Sequence, residues 1–260
     1  MEEIALICED SLEGVLTGVY DAYLLKKERQ LQTHDEIHII IGEPIIRNFY
    51  TEYVACCMEP DKAQKVAKTI VQVCGEELFQ YICQALSTHD ADKGDAVYHT
   101  IVLGIHYKDK RVFERLSDKY VRKLFELSRF AWNEIHHLKG FLHFQELQNQ
   151  ILYARINPKC EVVPFLADHF ADRLPNENFI IYDGRHHMFA IHEKYKPWFI
   201  VRGQDLQEEK LCFSEVESDY QRLFRHFCQK ISIASRENPT LQRNMLPLRF
   251  RADMVEFSNI

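Results

Sequence analysis

Apolar residues recur at three-and-four spacing through most of the stretch from Pro60 to Leu138, and in short runs or alternation before and after it. The first pattern predicts helices with one buried stripe, the second strands. At the start, IALIC reads as a strand. DSLEG then opens a helix that Asp10 can cap, with Glu13 placed to reach back, and Leu12, Val15, Leu16, Val19, Tyr20, Tyr23 and Leu24 form its stripe. Between Leu31 and Cys57 the β-branched and aromatic residues, broken at Gly42–Glu43–Pro44, predict two extended segments. Three further stripes follow: Ala63, Val66, Ala67, Ile70, Val71 and Cys74; Leu78, Phe79, Ile82, Cys83 and Leu86; and Ala96, Val97, Ile101, Val102 and Ile105. The last helix of the block buries Val121, Leu124, Phe125, Ser128, Ala131, Trp132, Ile135 and Leu138, which leaves Arg122, Arg129, Asn133 and His136 toward its other side. Its expected end is Gly140, a residue able to close the final turn in the left-handed conformation.

Beyond Gly140 the period changes. FLHFQEL and ILYARI flank the polar Gln148, Asn149 and Gln150 and predict a hairpin, ended by Asn157 and Pro158. A short helix with Pro164 in its first turn follows, and on it His169 and Asp172, three apart, face the same way. FIIYD is a buried strand ending at Asp183, and HMFAIH and PWFIVRG are two more. Ser214 and Glu217 read as a capping box for a long helix whose core stripe is Val216, Tyr220, Leu223, Phe224, Phe227 and Ile231. The tail is more basic, with Arg243, Arg249 and Arg251. Together these elements predict an α+β protein: a helical bundle packed on a small, mainly antiparallel sheet made of the first strand and those between Phe141 and Val201. The expected organisation is one domain, 1–260, in four segments: a strand–helix–strand start (1–58), the bundle (59–140), a sheet-rich part (141–203), and a helix with basic tail (204–260).

The bulk numbers narrow the class. In 260 residues, 46% are hydrophobic and 27% charged, which suits a globular chain with a sizeable core. A net charge of −7 excludes binding to nucleic acid by overall charge, though not through a local basic groove. Eight scattered cysteines without a CxxC pair, no export-signal pattern at the start and no apolar run of membrane-spanning length lead to the expectation of a cytoplasmic protein.

The histidines invite a test for metal spacing. Glu134 and His137 resemble half of a carboxylate-bridged di-iron motif, but no second copy follows. The adjacent pairs His136–His137 and His186–His187 point apart, so neither chelates. A tetrahedral site assembled from distant residues stays open, and no metal or cofactor is assigned. Phosphate-loop, dinucleotide, hydrolase-elbow and zincin motifs are absent. What remains is acid–base chemistry by His136, His169, Asp172 or Asp183, or nucleic-acid contact. For the latter, Arg122, Arg129, His136, Lys139, His143 and Arg155 interleave with Trp132, Phe141, Phe144 and Tyr153, a mixture that pairs phosphates with cations and stacks bases on rings. The plain alternatives are helix capping for the polar residues and core packing for the rings.

HLKGFLHF, ILYARINP and VVPFLADHFADRLPNENFIIYD, with DSLEGVLTGVYDAY near the start and NPTLQRNMLPLRF near the end, resemble in order and spacing an uncharacterised bacterial family of DNA metabolism or repair proteins. Residues fitting its pattern include Arg129, Glu134, His136, Lys139, Gly140, Phe141, Phe144, Tyr153, Pro164, His169, Phe170, Asp172, Arg173, Pro175, Asp183, Asn238, Pro239, Gln242, Pro247 and Arg249. His137 and His143 stand where arginine is more usual, and a neutral imidazole lacks the guanidinium fork. Cys160 and Glu161 depart from the usual polar pair before Val162. The resemblance implies gene neighbourhood with a radical-SAM protein and occurrence of the domain in front of uracil-DNA-glycosylase-like domains. It therefore implies an accessory role in DNA modification or repair. Arg129, Lys139, Phe141, Phe144, Tyr153, Arg173, Gln242 and Arg249 are the expected nucleic-acid contacts, and His136, His169, Asp172 and Asp183 the expected acid–base groups. The rival readings are an enzyme acting on a nucleotide or nucleic acid and a non-catalytic scaffold for the partner.

Overall fold

The computed structural model describes residues 3–203, 211–231, 233–251 and 253–257. Their packing forms two compact units, Met1–Trp132 and Asn133–Ile260, where the sequence reads as one continuous domain.

The first unit runs β1 (Glu3–Cys8), α1 (Leu12–Glu28), β2 (Ile37–Ile41), β3 (Thr51–Ala55), α2 (Pro60–Cys74), α3 (Glu76–Leu86) and α4 (Lys93–Tyr107), then enters α5 (Lys119–Phe141). Its sheet has the order β2-β1-β3 and is wholly parallel, with Leu6 opposite Ile39 and Val54. Among the described residues, the first strand and the later ones lie in separate sheets instead of the expected shared antiparallel one. β1 is an unbroken apolar run, the signature of a parallel strand covered on both faces, and α1 is the crossover that brings β2 alongside in the same direction. Val15, Val19, Ile37, Ile70, Leu78, Ile82, Ile101 and Leu124 fill the core. Ser11, rather than Asp10, caps α1 by accepting the Gly14 N–H at 3.0 Å, because the Asp10 carboxylate is drawn to Lys93.

α4 lies against the edge strand β2. Gly94 permits the approach: a Cβ there would stand 2.5 Å from the Ile39 carbonyl oxygen. One residue on, Asp95 Oδ1 accepts the Ile39 N–H at 2.7 Å, so the helix also satisfies the sheet edge. Gly94→Ala should push α4 off β2 and cost about 1–3 kcal/mol, read as a lower urea midpoint at unchanged slope.

The second unit contains the end of α5, then β4 (Gln145–Glu146), β5 (Leu152–Ile156), α6 (Val163–Arg173), β6 (Phe179–Asp183), β7 (Met188–His192) and β8 (Phe199–Arg202). After these come α7 (Glu215–Ile231), α8 (Pro239–Met245) and α9 (Leu248–Arg251). The sheet order is β4-β5-β6-β7-β8. Only β5 and β6 are parallel, joined through α6; the other pairs are antiparallel. α5 runs one residue past Gly140, and the first arm of the expected hairpin shrinks to two residues.

Two expected burial patterns change. Trp132 is 49% exposed, although its neighbours Ala131 and Ile135 are buried. The apolar side of α7 is open: Tyr220, Leu223 and Phe227 are exposed and no residue of the helix is buried. Ser214 does cap it, at 3.0 Å from the Glu217 N–H, but the Glu217 carboxylate accepts from the Glu146 N–H instead of closing the box. Residues 204–210 of the predicted last segment lie outside the described residues.

Candidate functional site

The end of α5 is tied down by one carboxylate. Glu134 is 1% exposed, and its Oε2 accepts the backbone N–H groups of Lys159 and Cys160 at 2.9 and 2.8 Å. Its Oε1 lies 3.0 Å from the Arg249 guanidinium, an ion pair whose angle falls short of a hydrogen bond. Three pieces of chain distant in sequence thus meet at one side chain. Two turns of α5 then carry the next groups: His136 exposed, Lys139 half-buried, and His137 stacked on Phe141 at 5.8 Å and tilted against Phe250 at 5.4 Å. Burial holds His137 below the usual imidazole range, helped by His136 and Arg249.

α6 supplies the other half. Leu166, Ala167 and Phe170 turn its apolar side inward, which leaves Asp172 and Arg173 exposed and His169 partly so. Partial burial lowers the proton affinity of His169, and the Lys139 and Arg173 charges lower it further, against an opposing effect of Asp172. These four residues therefore share one electrostatic neighbourhood. Neither Lys139 nor Arg173 has a hydrogen bond or ion pair among the described residues. Two cations without a hydrogen bond or ion pair among the described residues thus act on one imidazole, with the Asp172 carboxylate acting against them.

The remaining expected site residues are placed otherwise. Asp183 is fully buried, and its carboxylate accepts the Arg185 and His186 N–H groups at 2.9 and 3.1 Å and meets His186 Nδ1 at 2.5 Å. It braces the β6–β7 turn. Tyr153 packs with Leu147, Tyr182 and Phe189 in the core, and Phe144 sits edge-on to Phe170 at 5.1 Å. Phe141 stacks on His137, and Arg249 is held by Glu134 and by its place over the Phe250 ring. Gln242 is exposed on α8. Arg129 belongs to the first unit, where it lines a shallow cleft of about 300 Å³ with Gln80, Tyr81, Phe125 and Trp132.

The first unit also holds a polar group that the sequence reading passed over. A cavity of about 620 Å³ is lined by His34, His99, Asp118 and Tyr120 among others. His34 Nδ1 lies 2.6 Å from the Tyr98 hydroxyl, and burial, with Lys26 and His99 nearby, lowers the His34 pKa to about 4. The only signal in the chain was Asp95 and His99 four apart on one helix; their third neighbour, His38, is on a distant strand.

A family model described as a domain of unknown function, DUF4130, matches residues 91–256. The chain belongs to the DUF4130 family. All the expected contact and acid–base residues, Arg129 to Arg249, fall inside the family's span, whereas β1 to α3 precede it. No curated protein matches this sequence. Among solved structures, an uncharacterized protein from Helicobacter pylori G27 aligns over 74% of this chain and 85% of its own, at 9% identity and a TM-score of 0.20. That similarity carries no argument. Among the described residues of this DUF4130 protein, no helix is long and apolar enough to cross a membrane.

Proposed function

We propose that this DUF4130 protein contacts the phosphate backbone of nucleic acid through Lys139 and Arg173 and serves as an accessory to DNA modification or repair by a radical-SAM partner. The observation carrying the first part is the pair of cations, unpaired among the described residues, that flank His169 in a chain whose overall charge is negative. The partner rests on the family resemblance of the sequence blocks. The rings expected to stack bases are mostly packed in the core, so contact through phosphates rather than bases is the better-supported mode. The exposed apolar side of α7 favours a second reading, a scaffold that holds the partner protein.

The test is binding to labelled single-stranded and duplex DNA over a salt series. The parent chain should bind in a salt-sensitive manner. Lys139→Ala with Arg173→Ala should lower the logarithmic salt slope by about 1.8 for duplex or about 1.4 for single strands, two phosphate contacts' worth. In parallel, the His169 ring should titrate below the usual 6.5 in the free protein and move back toward it when DNA neutralises its two cationic neighbours, as followed by NMR. A parent chain that binds no DNA at low salt defeats direct contact and leaves the scaffold reading.

A further inference from the structure

We propose that His38, Asp95 and His99 form a binding site for a divalent transition-metal ion, zinc(II) being one that two imidazoles and one carboxylate suit. One donor atom from each residue lies within 4.8 Å of the other two. The fold assembles them from two elements. Asp95 and His99, four apart, share a face of α4, and Gly94 lets that helix approach the β2 strand that carries His38.

An ordinary ion pair accounts for part of this arrangement. Asp95 Oδ2 lies 2.8 Å from His38 Nδ1, and Asp95 Oδ1 caps the free edge of β2 through the Ile39 N–H. That pairing leaves His99 unexplained. His99 is only 7% exposed, its ring is stacked on Tyr120 at 4.0 Å, and its Nε2 has no hydrogen-bond partner among the described residues. A second imidazole, buried beside a His–Asp pair and with one ring nitrogen left without a donor or acceptor, has the character of a metal ligand.

Coordination asks for a modest parting of His38 and Asp95 and a larger approach by the His99 ring. Tetrahedral coordination with bonds of about 2.0 Å separates ligand atoms by about 3.3 Å. The ion takes the place of the proton shared by His38 and Asp95, which part by a few tenths of an ångström, and the His99 ring closes from the other side. The proton displaced from His38 goes to solvent, as metal binding at histidine requires. Three protein ligands leave a fourth position, the mark of a site that acts on a ligand rather than one that only staples the fold. His99, though neither His38 nor Asp95, also lines the cavity of about 620 Å³.

The test uses the full-length chain, freed of metal with a chelator and titrated calorimetrically with zinc(II), cobalt(II) and magnesium(II). One zinc per chain should bind, cobalt should replace it with the visible absorption of a low-coordinate site, and magnesium, which prefers oxygen ligands, should not compete. His99→Gln and His38→Gln should each weaken zinc binding by more than about 100-fold, since losing even an outer hydrogen-bond partner of a ligand costs about 10–100-fold. Cys57→Ser, at an exposed thiol, should leave the affinity unchanged. Circular dichroism of the metal-free variants establishes that they fold; if His99→Gln does not, His38→Gln at the sheet edge decides alone. No zinc bound by the parent chain, or equal affinity in the folded histidine variants, overturns the proposal.

Discussion

Glu134→Ala should lower the thermal midpoint of the second unit by roughly 10 °C, the equivalent of about 3 kcal/mol in a unit of this size. The carboxylate is 1% exposed and accepts two backbone N–H groups, from Lys159 and Cys160. Alanine leaves both donors without a partner, and an orphaned buried donor costs about 1–3 kcal/mol. The Arg249 ion pair adds less, because that guanidinium is 36% exposed and rehydrates when the pair is broken. Two comparisons separate these contributions. Glu134→Gln keeps an oxygen for the two N–H groups and should lose about half as much, whereas Arg249→Ala should cost about 1 kcal/mol or less. Scanning calorimetry on the three variants gives the order. If Glu134→Ala and Arg249→Ala fall equally, the ion pair and not the backbone hydrogen bonds is what Glu134 supplies. Because this residue positions the turns that bear His136 and Lys139, the same substitution should weaken any DNA binding.

Lys93→Met should destabilise the first unit by about 2–4 kcal/mol. The Lys93 side chain is 2% exposed; its ammonium donates to the carbonyl of Leu86 at 3.0 Å and to that of Thr88, and it pairs with Asp10. Leu86 is the last residue of α3, so the charge sits where unpaired carbonyls and the helix dipole favour a cation. Methionine keeps most of the volume but leaves the carbonyls buried and unsatisfied. Asp10, 51% exposed, returns to water in that variant, whereas Asp10→Asn removes the counter-charge but leaves both carbonyls on the ammonium, so it should cost less than Lys93→Met. Urea unfolding of both variants checks the asymmetry. A loss below about 1 kcal/mol for Lys93→Met would mean that water reaches the carbonyls as readily as the ammonium does.

Much of the architecture was readable before any coordinates. FIIYD and HMFAIH became β6 and, apart from its first residue, β7, and Pro164 lies in the first turn of α6, because alternation, unbroken apolar runs and proline act over a few residues. The grouping of His169 with Asp172 was equally legible, being a property of a single helix. The anchoring by Glu134 was not: its partners lie 25 and 26 residues on in the backbone, with Arg249 beyond them, and nothing in the local pattern distinguishes it from a solvated glutamate. The stripe of α7 shows the opposite failure. An apolar period marks a face that prefers cover, but it does not supply the cover, and Tyr220, Leu223 and Phe227 are exposed.

By itself, then, the chain's order of residues determined most of the helices and strands, the α+β class and the apolar side of each helix, though not whether that side is covered. Strand partnership was decided by tertiary structure, since β1 pairs in parallel with strands that begin more than thirty residues later and joins none of the strands after Phe141. So was the meeting of His38 with Asp95 and His99, and the placing of the Lys139 charge within electrostatic reach of His169. The physical reason is common to both. Periodicity is set by backbone geometry over one or two turns, whereas pairing and site assembly depend on the free energy of burying surfaces that lie far apart along the chain.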